Sequence, residues 1–173
     1  MSIFSRIVLF ASLTSLLAAG CAKPSPASPP PTTVKQLNVC DFIDAASASD
    51  VLGGKVEIEP GPAVASGNGF VSTCQLSSDE ARSINILLRQ SSTASEALQI
   101  FNDSKTAAQS SGFSTIDLQG YGTGAFWVGD TQNQLNLVSK NNWFVITVFA
   151  LLGDDRLNIG KKAAAALLRT TNP

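Results

Sequence analysis

The chain contains no histidine, and that absence decides more about its chemistry than any residue present. Ser-His-Asp and Cys-His catalysis both need an imidazole base, so neither arrangement is open to it. No Gly-x-Ser-x-Gly elbow occurs, and no serine stands three residues before a lysine. Four features keep some chemical potential: the cysteines Cys21, Cys40 and Cys74, the glycine run Gly120-x-Gly122-x-Gly124, several acidic pairs, and an aromatic cluster.

The glycine run lacks what a phosphate loop requires. That fingerprint needs a strand before it, a helix after it and a third glycine further along; here Ala125-Phe126-Trp127-Val128 follows, which reads as a strand. A turn with backbone positions at positive φ is the better account. The acidic pairs also have structural roles. Asp79-Glu80 falls in a hairpin turn, Asp154-Asp155 sits at a helix start where carboxylates complement the dipole, and Glu57 and Glu59 share the outer face of a strand. None has calcium-loop spacing. A glycosidase-like pair needs only spatial proximity, so an enzyme built on scattered carboxylates stands as an alternative. The expectation is a protein with no catalytic residues, metal or cofactor.

Gly120–Ala150 holds both tryptophans, the only tyrosine and three of the nine phenylalanines. Alternation in Trp143–Ala150 leaves both strand faces apolar, which predicts a strand in the middle of a sheet covered on both sides. Core packing thus takes most of these rings. Tyr121 and Trp127, beside the glycine turn, are the expected exposed exceptions and the candidate ligand-binding residues.

The cysteines speak to compartment. Residues 1–20 have one early positive charge, Arg6, an apolar run Ile7–Leu17 and small residues Ala18-Ala19-Gly20, the layout of a secretory signal. The apolar run falls short of the ~20 residues of a spanning helix. Leu17-Ala18-Ala19-Gly20-Cys21 resembles the bacterial lipobox, with Ala18 where leucine is more usual; the resemblance implies that Cys21 is the lipidated first residue of the mature protein. The alternative is an ordinary signal that leaves Cys21 as a free thiol. With Cys21 set aside, Cys40 and Cys74 form one pair, and exported proteins keep disulfides. Zinc is the rival for that pair, but two cysteines without histidine fall short of four ligands.

Residues 21–36 are the lipidated cysteine and a tether: five of the eight prolines fall between Ala22 and Lys35, favouring extended polyproline conformations. Loss of Arg6 moves the formal charge from −1 to −2. Scattered basic residues give no nucleic-acid footprint and no polybasic patch, so membrane attachment rests on the lipid.

Residues 37–173 suffice for one globular domain. The spacing predicts a helix in two short pieces over Asp41–Leu52, capped by Asp41 and by Ser47 with Asp50, and stopped by Gly53-Gly54. A strand follows at Val56–Glu59, a loop at Ala63–Gly69, and a hairpin of Phe70–Leu76 with Ser83–Arg89. Thr93-Ala94-Ser95-Glu96 is a capping box opening a helix that Gly112 closes. Strands then run from Phe113 to Ala150, with Asn141-Asn142 as a tight turn at positive φ. Asp154 or Asp155 begins a last helix, in which Gly160 permits close approach to the sheet. Strand runs interrupted by single helices give an α+β fold: one antiparallel sheet of about six or seven strands with helices packed on it, and one disulfide.

Cys40-Asp41-Phe42, a helix ending at Leu52-Gly53, Cys74 in a strand, Gly120-x-Gly122-x-Gly124-Ala125-Phe126-Trp127 and a closing helix together resemble a family of small bacterial lipoproteins of unknown function, best represented in actinobacteria. The resemblance spans Val39 to about Arg169 and departs at Gln75-Leu76, where an aromatic residue is expected. It implies a disulfide-stapled α+β domain similar in outline to PsbP-like lipoprotein and sensor domains, and it supplies no catalytic residues. The expected function is a lipid-anchored, non-catalytic binding module of the cell envelope, facing the periplasm or the exterior, for a small apolar ligand, a lipid or an envelope protein. The alternative is an inhibitor or immunity-type lipoprotein that blocks a toxin or cell-wall hydrolase through the Ala63–Gly69 loop.

Overall fold

A computed structural model describes residues 35–129 and 131–171. The signal segment, Cys21 and all but the end of the tether lie outside the described residues. Residues 32–173 form a compact unit of their own.

The chain enters through a 3-10 turn, Val39–Phe42, and helix α1, Ala45–Leu52. The two pieces fall where the sequence places them, but other residues cap them. Asn38 accepts from the Cys40 N–H, and Asp44 accepts from the Ser47 N–H at 2.7 Å. In each case the cap directly precedes the first helical residue in extended backbone, the geometry that aims a side-chain oxygen at the free N–H groups of the first turn. Gly53, at φ 76°, ends α1.

Eight strands form one antiparallel sheet in the order β1-β3-β4-β8-β7-β6-β5, with β2 also paired to β3. They are β1 Val56–Pro60, β2 Val64–Ser66, β3 Gly69–Ser78, β4 Ser83–Gln90, β5 Thr115–Leu118, β6 Gly124–Val128, β7 Gln134–Ser139 and β8 Asn142–Phe149. Strand β2 lies inside the stretch expected to be a loop: Val64–Ser66 turns at Gly67-Asn68 and pairs with Gly69–Val71. Three residues with a single β-branched side chain leave too short an alternation to read from sequence. The last hairpin also turns one residue earlier than expected. Lys140-Asn141 makes the turn, Lys140 supplies the positive φ, and Asn142 already pairs with Ser139.

Because side chains alternate along each strand, the register sorts the sheet into two faces. On one lie Cys74, Ile86, Ile146, Leu135 and Trp127 in a single row across β3-β4-β8-β7-β6, with Leu88, Phe144, Leu137 and Ala125 in the next. All are buried under the 3-10 turn, α1 and helix α3, Arg156–Thr171. Helix α3 meets the sheet through Ala163, Ala164, Ala166 and Leu167. Small residues let its axis come close, and Gly160 comes closest: a Cβ there would sit 3.3 Å from the Trp127 ring. Asp155 caps α3 through the Asn158 N–H.

The opposite face carries one helix, α2, Ala94–Ser110. Thr93 caps it by accepting from the Glu96 N–H, while Glu96 reaches back to Ser92. Ala97 and Phe101 pack on Phe126, Val128 and Val138, with Trp143 alongside. Phe101 and Phe126 meet at 5.1 Å between centroids with their rings tilted by 59°.

Candidate functional site

Cys40 and Cys74 are joined in a disulfide with Cα atoms 5.2 Å apart, within the usual span for such a bridge. The bond ties the 3-10 turn to β3, where Val39 N–H also donates to Ser72 Oγ. Its surroundings are apolar core, and its role is structural. Among the described residues, no three His, Cys, Asp or Glu side chains gather as metal ligands.

The glycine run does make a turn rather than a phosphate cradle. Gly120 and Gly122 have φ of 86° and 58°, and strand β6 follows directly. A side chain at Gly122 would collide with the Val138 carbonyl, so this turn lies hard against β7. Between the turn and Phe101 runs an open groove of about 200 Å³. Tyr121 lines it and is half-buried against the core. The two candidate ligand-binding residues thus part company. Trp127, expected at the rim, is only 5% exposed. It is the third residue after Gly124 in a strand whose odd positions face α3, and it lies beneath Gly160. The missing side chain at Gly160 is what lets α3 close over the indole.

Two of the acidic pairs, Asp79-Glu80 and Asp154-Asp155, have backbone and ion-pair partners, and Glu57 and Glu59 are exposed on β1. Asp79 Oδ1 accepts from the Lys55 N–H, tying the hairpin turn to the start of β1. Asp154 is gripped by Arg82 through two bonds, Nε to Oδ2 at 3.0 Å and Nη2 to Oδ1 at 2.9 Å. Arg82 also donates to Glu80 and to the Leu52 carbonyl. Donation from Arg82, helped by its charge and by the Leu151 N–H, holds the Asp154 carboxyl below the usual carboxylate range, and the same pairing raises Arg82.

The feature that sequence reasoning missed is on the α2 side of the sheet. The expectation is that β8 is covered on both faces; its α3 face is, but on the other α2 reaches only its start at Trp143. Its even residues Phe144, Ile146 and Val148 are buried. Of the odd residues, Trp143 lies beside α2, Val145 and Thr147 are partly buried and Phe149 is exposed. Across β4 and β3 the same face continues with Arg89, Leu87 and Asn85, then Val71, Thr73 and Gln75. Helix α2 packs on β7 and on the start of β8, and among the described residues no helix packs on this face of β3, β4 or the rest of β8. The result is an open sheet face on which apolar side chains alternate with threonines and amides.

A second missed feature adjoins it. Three exposed apolar residues, Phe149, Leu151 and Leu152, fall within four positions at the β8–α3 turn. The sequence signal was present: the apolar run of β8 continues through Leu151-Leu152 to Gly153, longer than the strand that contains it.

Among the described residues, no helix is long and apolar enough to cross a membrane. No protein-family model, curated protein or solved structure matches the chain.

Proposed function

We propose that the chain is a lipid-anchored, non-catalytic binding module of the cell envelope, and that its open sheet face receives an envelope protein. One observation carries the reading: β8 is apolar on both faces but α2 covers only the start of the second, so Leu87 and Val145 stay partly exposed beside Thr73, Asn85 and Thr147. A protein partner fits this surface better than a small apolar ligand does. Small ligands are held in concave, mostly apolar sites that enclose them, whereas protein interfaces are about as polar as ordinary surface and owe their affinity to a few desolvated anchors. The anchoring half of the proposal rests on the lipobox-like Leu17–Cys21 and the proline-rich tether.

Photo-crosslinking amino acids at Leu87 and Val145 in the full-length protein, expressed in its own cells, test the face. A control position is Asp103 on the exposed side of α2. The proposal expects one shared adduct from positions 87 and 145, absent from 103 and competed away by unlabelled protein. No adduct, or the same adduct from all three positions, overturns it. The anchor is tested separately: Cys21→Ala should release the protein from the membrane fraction, and the mature N-terminal peptide should carry acyl mass on Cys21.

A further inference from the structure

The β8–α3 turn is a rigid apolar point, and we propose that it enters the interface of a lipid bilayer. Leu152 is 99% exposed, Leu151 53% and Phe149 57%. These side chains are held out by the fold around them. Asp154 N–H donates to the Leu151 carbonyl at 3.2 Å, and Gly153 takes φ 97°, which makes a β-turn with Leu152 at its outer corner and glycine in the position that needs positive φ. The Asp154 carboxylate also accepts from the Leu151 N–H at 3.0 Å while Arg82 grips both its oxygens. Arg156 closes the base by donating to the Ala150 carbonyl. With both ends pinned, Leu152 cannot fold back onto the domain.

The occupant follows from shape, charge and reach. A convex corner with a leucine at its apex has nothing to enclose a ligand, but it can sink into the headgroup–acyl boundary. The charges beside it, Glu80, Arg82, Asp154, Asp155 and Arg156, hold no basic excess, so the attraction does not require anionic lipid. The last step rests on the lipid-anchored reading above. The chain takes 14 peptide steps from Cys21 to Lys35, about 43 Å when extended as polyproline. It joins the fold near Ser72, level with Phe144 of β8. From there to Phe149 is only about 17 Å along the strand. A lipid on Cys21 therefore leaves the turn free to reach the same bilayer.

Residues 32–173, a compact unit without Cys21, allow a test that does not depend on the anchor. With Cys40 and Cys74 oxidised, Leu152→Cys provides a single thiol for an environment-sensitive fluorophore, and Asp103→Cys serves as the control label. With vesicles of pure phosphatidylcholine, the label at 152 should shift to the blue and be quenched by brominated acyl chains, while the label at 103 stays unchanged. Leu151→Asp with Phe149→Ser, both at exposed positions, should weaken partitioning of the 152-labelled unit by at least about tenfold with an unaltered circular dichroism spectrum. No shift at millimolar lipid, or a shift only when phosphatidylglycerol is added, overturns the proposal. Because this unit carries no lipid, failure here is distinct from failure of the Cys21 fractionation.

Discussion

Reducing the Cys40–Cys74 bond should lower the stability of the whole domain by about 4 kcal/mol. The two cysteines are 34 positions apart, and the loop they close contains α1, β1 and β2. In the chain-entropy account a loop of that length restricts the unfolded chain by roughly this amount. For a domain of this size, with unfolding entropy near ~2 cal/mol/K per residue, the melting temperature should fall by about 14 °C. The loss should be global, because the 3-10 turn has other attachments. Val39 N–H donates to Ser72 Oγ at 3.1 Å, Thr170 Oγ1 donates to the Phe42 carbonyl at 3.0 Å, and Phe42 meets Phe144 edge to face at 6.2 Å. Urea unfolding of oxidised and reduced protein, followed by tryptophan fluorescence and far-ultraviolet circular dichroism, measures it. The two probes should coincide, and m should rise slightly on reduction because the uncrosslinked chain exposes more surface. A loss below about 1 kcal/mol would refute the entropic reasoning, and a separate early transition would refute the attachment of the turn to the core.

Three further outcomes follow from single contacts. Trp127→Ala should cost about 3–5 kcal/mol in urea unfolding, as for other buried aromatic truncations; a near-neutral result would return Trp127 to the surface. Gly69→Ala places a methyl group against the Gln90 carbonyl and the Ser91 backbone, and should cost about 1–3 kcal/mol by forcing the end of the β3–β4 ladder apart, more than Gly67→Ala, where a Cβ meets open space and only the positive φ of 58° opposes it. Asp154→Asn should be destabilising at neutral pH, and its deficit should shrink on acidification. The folded-state pKa of Asp154 is depressed, so its contribution is present above the unfolded value of about 3.9 and is lost as pH falls through the folded value; a deficit in melting temperature that persists at full protonation would contradict the ion-pair origin.

The parts of the fold legible in the sequence are those fixed by local chemistry. The Thr93 capping box, the glycine stops at Gly53 and Gly112, and the close approach at Gly160 each depend on neighbours within a turn or on the size of one side chain. The misses depend on partners distant in sequence. Val64–Ser66 is a strand because β3 extends far enough past β1 to accept it, and no alternation in three residues announces that. Trp127 is buried because α3 bends no side chain into its path at Gly160, more than thirty positions later. The candidate site was hidden for a related reason. Apolar residues on both faces of β8 state that both faces avoid water, but they do not state whether the second cover comes from this chain. The disulfide could be read because it needed only a count of cysteines once Cys21 was assigned elsewhere.

Why the uncovered face lies on β3, β4 and β8 follows from the spacing of layers. Strands lie about 4.8 Å apart and a helix with its side chains is about 10 Å across, so one helix shields roughly two strands. Among the described residues, the α3 side has α3, α1 and the 3-10 turn for cover, whereas the other side has α2 alone. Helix α2 must also carry the chain from β4, near the middle of the sheet, to β5 at the far edge, which commits it to the β6–β8 half. A face left bare by geometry alone has no need of leucine and valine, and polar side chains would suit it better. Leu87 and Val145 face each other across β4 and β8 on that surface. Replacing both with threonine keeps strand propensity, and because both side chains are only partly buried stability should change by about 1 kcal/mol. Crosslinking from a probe at Thr73, the next residue in the same row, should nevertheless disappear. A loss of several kcal/mol without loss of crosslinking would mean that Leu87 and Val145 serve the domain's own core, and the proposed partner face would have to be abandoned.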